Sequence, residues 1–205
     1  MNTLPPDIHT HQPAPAWDAI INLPMSVVEG TDSFVPREGQ SYSAGIFPLY
    51  EGSWETAYRH LTQLASHPGI AAIGECGLDR RSTIPLSEQI HYFQLQMQLA
   101  DQLHLPLIIH CVRCWGELLA CHSSNQSEGL HIIHGFRGKP ALARQLLNKG
   151  FHLSFGMHFP VESFLACPPA RRYCETDDVP SLTLQQVIDR QQELVQAYMA
   201  THPDR

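Results

Sequence analysis

Long apolar runs are missing from this chain. Those present, such as Leu105 to Ile109, stop at a histidine, a proline or a charge, well short of the ~18 residues that a membrane-spanning helix needs. No membrane span is therefore expected. The opening residues, Met1-Asn2-Thr3-Leu4-Pro5-Pro6, lack the basic stretch and apolar run of a secretory leader, which makes a cytoplasmic location the default expectation. Cysteine is sparse: six in 205 residues, at 76, 111, 114, 121, 167 and 174, too few for a disulfide framework and in keeping with thiols in a reducing compartment. Basic charge is scarce too. Thirteen Lys and Arg against 20 Asp and Glu give a formal charge of −7, which argues against a broad basic face for nucleic acid, since that binding draws on many phosphate contacts. A small charged pocket is compatible with the same balance. No repeat, low-complexity tract or linker interrupts the chain, so residues 1–205 read as one globular domain.

Histidine is what the sequence has in excess. Its 13 copies are roughly three times the ordinary share, and such an excess points to metal. Eight short apolar runs read as strands: Leu4 to His11, Ala19 to Leu23, Tyr42 to Phe47, Ile70 to Glu75, Pro106 to His110, Leu130 to His134, Phe151 to Phe155 and Tyr173 to Asp177. Trp54 to Ser66, Leu86 to Leu103, Cys114 to Ser123, Ala141 to Lys149 and Leu182 to Thr201 read as helices between and after them. That alternation is the pattern of parallel strands joined by crossover helices. Gly69 and Gly150 fall where a left-handed residue closes a helix before a strand, and Pro68 and Pro106 stop the helices before them. The expected fold is α/β, a reduced (β/α)8 TIM-type barrel whose early helices are short or missing, because the first two crossovers are too brief for full helices.

Ligand-type residues close these strands. His9 and His11 lie two apart at the end of the first strand, on one face; Glu75, His110, His134 and Asp177 close the fourth, fifth, sixth and eighth. The carboxyl ends of barrel strands converge on one rim, so four imidazoles and two carboxylates are expected to meet as a two-metal site. Two divalent ions with two carboxylates and a hydroxide leave about one net positive charge, which welcomes an anionic phosphate in an acidic protein.

The strings Asp7-Ile8-His9-Thr10-His11, Ile73-Gly74-Glu75-Cys76-Gly77-Leu78-Asp79, Ile108-Ile109-His110-Cys111, His134-Gly135-Phe136-Arg137-Gly138 and Cys174-Glu175-Thr176-Asp177-Asp178 resemble the successive signatures of the TatD family of metal-dependent deoxyribonucleases in the amidohydrolase superfamily. The resemblance implies a metal-dependent hydrolase barrel that cleaves phosphodiester bonds, with DNA or another phosphodiester as substrate and no obligate protein partner. It implies His9, His11, Glu75 and Asp177 on one metal and Glu75, His110 and His134 on the other, with Glu75 bridging and Asp177 serving the attacking water as base. Imidazole-rich ligation suits Zn²⁺, Mn²⁺ or Fe²⁺ better than Mg²⁺, with which the family's nuclease activity is associated. Hydrolysis of an amide, ester or lactone, and a non-catalytic metal-binding role, are the competing readings.

The chain also departs from the family pattern. A Gly-x-His-Pro-His element after the third strand is replaced by Gly45-Ile46-Phe47-Pro48-Leu49, without either histidine, and Arg137 stands where serine is usual. Arg80, Arg113 and Arg137 follow strand ends and are expected to meet substrate phosphate; His158, after the seventh strand, is expected to line the pocket in place of the missing histidines. Cys111 and Cys114 have the spacing of a redox or zinc pair, but without a second pair they read as ordinary thiols.

Overall fold

The computed structural model describes residues 4–125 and 129–203. Among them eight parallel strands follow one another in chain order round a closed barrel: β1 (Asp7–Thr10), β2 (Ala19–Asn22), β3 (Ser41–Ala44), β4 (Ile70–Asp79), β5 (Leu107–Val112), β6 (His131–Ile133), β7 (His152–Phe155) and β8 (Arg172–Cys174). The helices are α1 (Met25–Val28), α2 (Trp54–Leu64), α3 (Leu86–Leu103), α4 (Trp115–Asn125), α5 (Pro140–Asn148), α6 (Val161–Ala166) and α7 (Leu184–Thr201). The expected thinness of the early barrel is found: β2 follows β1 without a helix, and α1 is a single turn. No described helix is long and apolar enough to cross a membrane. The chain divides into two compact units, a central one of Ile20–Ile132 and a terminal one of Met1–Ala19 with Ile133–Arg205.

The central unit is organised by β4 and α3. Gly77 of β4 pairs in register with His110 of β5; it sits at φ +145°, and a Cβ there would come within 2.0 Å of the His110 carbonyl oxygen. Only glycine lets the two backbones approach so closely. For that reason β4 does not end at Glu75, as its apolar run suggests, but continues four residues further to Asp79. Two fully buried glutamines of α3 fasten this region. The Gln89 carboxamide accepts from the Asp79 N–H (2.8 Å) and donates to the Asp79 carbonyl (3.2 Å), while Gln96 accepts from the Ile46 N–H (2.6 Å). Each amide stands in for a strand partner that the irregular backbone lacks. The helix ends on His104 in the left-handed conformation, φ 54°.

The terminal unit joins the two ends of the chain. Asp7 pairs with Cys174 across β1 and β8, and Phe155 with Cys174 across β7 and β8. Phe136, Phe151 and Phe155 are fully buried in its core. Helix α7 opens with a capping box, the Gln186 N–H donating to the Thr183 hydroxyl and the Thr183 N–H to the Gln186 side chain, which satisfies donors that the first turn leaves orphaned. From the same helix, buried Gln191 donates to the Phe155 carbonyl at 2.7 Å. Helix α6 and a 3-10 turn at Pro169–Arg171 were not foreseen in the sequence, since pieces of one or two turns carry no readable period. Gly150 adopts the expected left-handed conformation at φ 92°; Gly69 does not.

Candidate functional site

In the terminal unit the ligand-type residues are gathered by a loop hooked onto β1. Strand β8 stops at Cys174, so Glu175, Thr176 and Asp177 lie beyond it rather than in it. The Asp177 N–H donates to the His9 carbonyl and the Asp177 carbonyl accepts from the His11 N–H, both at 3.0 Å. This forms an isolated parallel bridge between Thr10 and Asp177. Asp177 itself sits at φ 54°, a conformation aspartate tolerates better than most residues. Beneath it, fully buried Asp7 accepts from the Thr176 hydroxyl (2.8 Å), the Thr176 N–H (3.2 Å) and the Trp17 indole N–H (2.9 Å). Burial pushes the Asp7 carboxyl up, against the opposing pull of these donors.

The heads of these residues converge. Asp177 Oδ1 lies 3.6 Å from His9 Nε2 and 3.9 Å from His11 Nε2, beyond hydrogen-bond reach but close enough to share one ion. The His9 ring stands perpendicular to His11 and 4.5 Å from that of His134, whose Nδ1 is 3.8 Å from Glu175 Oε1. Two sets of three donors, His9 with His11 and Asp177, and His134 with Glu175 and Asp177, each fall within 4.8 Å of one another. Imidazole nitrogen and carboxylate oxygen are the donors that zinc and similar divalent ions take, so the residues present fit such an ion. Burial alone would push the Glu175 carboxyl up; His134, His9 and the Ser154 hydroxyl outweigh it and hold the group below its ordinary range.

The central unit presents a different arrangement. Glu75, Gly77 and Asp79 are two apart along β4 and share a face, with Gly77 level with His110. The imidazole of His110 therefore spans the gap that glycine leaves: its Nδ1 is 2.7 Å from Glu75 Oε1 and its Nε2 is 2.9 Å from Asp79 Oδ2. The Glu75 N–H donates to the Asn22 side chain at 2.9 Å, and the Ser43 hydroxyl donates to the same oxygen. Asp79 is wholly buried, yet Arg81 reaches back from the surface and donates to both carboxylate oxygens, Nε at 3.1 Å and Nη2 at 2.6 Å. Burial would raise the Asp79 carboxyl, but Arg81 and His110 together hold it below the usual range. Phe47, half-buried, lies edge-to-face on the His110 ring at 5.0 Å.

Of the residues singled out in the sequence, His9, His11, His134 and Asp177 are brought together within the terminal unit, and Glu75 with His110 within the central one. Arg80 is engaged elsewhere, donating to Glu117 and to the Arg113 carbonyl. Arg113, at φ 56°, Arg137 and His158 are exposed, and the guanidinium groups of Arg113 and Arg137 pair with no carboxylate among the described residues. His158 belongs to none of the donor groups found among the described residues. Cys111 and Cys114 are free thiols, and burial pushes both up. Asp7, Asp79 and Glu175 went unassigned in the sequence, although each stands within two or four residues of a ligand in a strand-end string.

A family model described as TatD related DNase matches residues 36–201. Among curated proteins, the chain is 38% identical over 116 residues to the 3'-5' ssDNA/RNA exonuclease TatD of Cronobacter turicensis, covering 54% of this chain and 43% of that protein. It is 32% identical over 132 residues to the uncharacterized metal-dependent hydrolase YabD of Bacillus subtilis, covering 60% and 51%. The chain spans about half the length of the curated relatives it matches. Among solved structures, YJJV, a TatD homolog from Escherichia coli, superposes with a TM-score of 0.74 at 18% identity over 95% of this chain and 94% of that one. A TatD family hydrolase from Entamoeba histolytica gives 0.60 at 18% identity, over 80% and 60%. At such identity these two matches speak for the fold alone.

Proposed function

The chain belongs to the TatD related DNase family, and from that premise we propose that it is a metal-dependent hydrolase of phosphodiester bonds, acting on DNA or a similar phosphodiester. The observation that carries this reading is the gathering of His9, His11 and Asp177 within 4.8 Å of one another by a loop anchored on β1. His9, His11, His134 and Asp177 of the terminal unit, and Glu75 with His110 of the central unit, are proposed to hold two divalent ions, with Zn²⁺, Mn²⁺ and Mg²⁺ as the candidates. Bound there, such ions supply Lewis-acid polarisation of a phosphoryl oxygen and ease the ionisation of water.

The protein's own groups then have defined tasks. Asp177, ionisable and held at the mouth by two backbone hydrogen bonds, takes the proton of the water whose oxygen bonds to phosphorus as the ester P–O bond breaks. Glu75, whose backbone N–H donates to Asn22, would hold a divalent ion together with His110. Arg113 and Arg137, exposed and without carboxylate partners among the described residues, are proposed to meet phosphate oxygens, and His158 to line the edge of the substrate. Arg80, tied to Glu117, would have to exchange that partner for substrate.

Phosphodiester and acyl substrates separate this reading from its nearest rival. With Mn²⁺, Zn²⁺ or Mg²⁺ supplied, release of nucleotides from single-stranded DNA, abolished by a chelator and restored by metal, is the expected result. Turnover of p-nitrophenyl acetate or a lactone without action on DNA or a p-nitrophenyl phosphodiester would overturn it. Uptake of metal with no turnover of any ester would mark a binding protein instead.

A further inference from the structure

The proposed reading leaves unused a carboxylate that the structure holds with unusual care. Asp79 is wholly buried, with its backbone N–H and carbonyl both fastened by Gln89. Arg81, more than half exposed, closes over both of its carboxylate oxygens. Burying an ionised carboxylate is costly unless it is paired and hydrogen-bonded, and here the pairing group comes from two residues along the same turn. Among the described residues, the contact of that carboxylate beyond the Arg81 side chain and backbone N–H is with Nε2 of His110 at 2.9 Å. A carboxylate engaged by a guanidinium can only accept, so Nε2 carries the hydrogen and donates, which turns Nδ1 toward Glu75, 2.7 Å away.

We infer that Asp79, clamped by Arg81, is a positioning residue: it fixes the ring orientation and tautomer of His110 so that Nδ1 is the atom offered to a divalent ion shared with Glu75. The inference rests on the metal-dependent reading above. The spacing in Glu75-Cys76-Gly77-Leu78-Asp79 then has a physical account. The glycine opposite His110 leaves room for the ring, and carboxylates two residues to either side reach its two nitrogens. A carboxylate behind a ligating imidazole raises its basicity and restricts its rotation, and loss of such a partner commonly lowers metal affinity ~10 to 100-fold.

Titration with Co²⁺, followed by heat and by visible absorption, tests this on the intact protein. The wild-type chain is expected to take up two ions. In Asp79→Asn one binding event should weaken ~10 to 100-fold with a changed absorption band, while the other event, at His9, His11 and Asp177, keeps its wild-type affinity. Arg81→Gln leaves Asp79 in place and removes only its clamp; the same event should weaken several-fold. A folded Asp79→Asn protein with both events unchanged overturns the inference. Should Asp79→Asn fail to fold, an unchanged titration in Arg81→Gln overturns it equally. Wild-type protein that takes up no Co²⁺ at all sinks the hydrolase reading, and this inference with it, and is told apart by appearing before any substitution is made.

Discussion

The two units hold their ligand-type residues by opposite means. In the terminal unit His9, His11, His134 and Asp177 come from both ends of the chain, and the ion pairs among them measure 3.6 Å and more; what fixes them is the backbone, through the bridge from Thr10 to Asp177 and the buried Asp7 beneath Thr176. In the central unit Glu75, Asp79 and His110 come from two adjacent strands, and side chains make the arrangement, with His110 in direct contact with two carboxylates. The first is a set of converging heads with room for an ion among them. The second is pre-oriented by the hydrogen bonds that Asp79 makes with His110, Arg81 and Gln89. A polar network that fixes its own geometry gives precision, whereas an open set of like donors gives affinity to whatever cation fills it.

The largest predicted effect tests the open set. Asp177→Asn keeps the shape of the loop and removes the proton acceptor, so single-turnover cleavage of single-stranded DNA should slow by ~10² to 10⁴, with the fold unchanged by circular dichroism. A variant as fast as wild type would rule Asp177 out as the base. The second effect tests the strand register. Gly77→Ala meets the His110 carbonyl and an unfavourable φ, and unfolding by urea should show a loss of ~3 kcal/mol or more. Gly116→Ala, with nothing within 4 Å, should instead be neutral or gain ~0.4 to 1 kcal/mol.

A third prediction concerns pH and belongs to the central unit alone. Burial, with the neighbouring His122, lowers the His131 imidazole to about 4, whereas the unfolded chain takes up the proton near its ordinary ~6.5. Between those values the unfolded state binds more protons, so stability falls as pH drops from about 6.5 toward 4, by about 3 kcal/mol from this residue. His131→Phe should flatten the pH dependence of the urea midpoint across that window; an unchanged slope would assign the loss to other groups. The smallest effect compares helix starts. Thr183→Ala breaks the reciprocal capping box of α7 and should cost ~1 kcal/mol, and Ser53→Ala at α2, where the hydroxyl accepts from Thr56 without a reciprocal bond, should cost less.

Much of this architecture was legible in the amino-acid order. Helix α3 spans Leu86–Leu103, the stretch read from its apolar period, and each of the eight strands overlaps the run that marks it, since continuous apolar runs are the signal of strands buried on both faces. Boundaries failed where backbone sterics overrode composition. Glycines 74 and 77 look like a break, yet they let β4 run on to Asp79 against β5. At the candidate site, ligand types closing apolar strands could be read directly, because their spacing along the strand decides their face. The residues behind them could not: Asp79 and Glu175 are distinguished from surface carboxylates only by burial and by the imidazoles they meet, which depend on pairings far apart in the chain. The same holds for Gln89, Gln96 and Gln191, which count as polar in any pattern and turn out to be buried fasteners.

The bond from Thr176 to Asp7 spans 169 residues, and it has a consequence for how the protein is made. Contacts of such wide sequence separation are slow to close, because their loop entropy must be met before they reward it, so the loop that carries Asp177 is expected to settle after the neighbouring pairing of β4 with β5. The aspartate proposed to activate water is thus expected to reach its place late in folding.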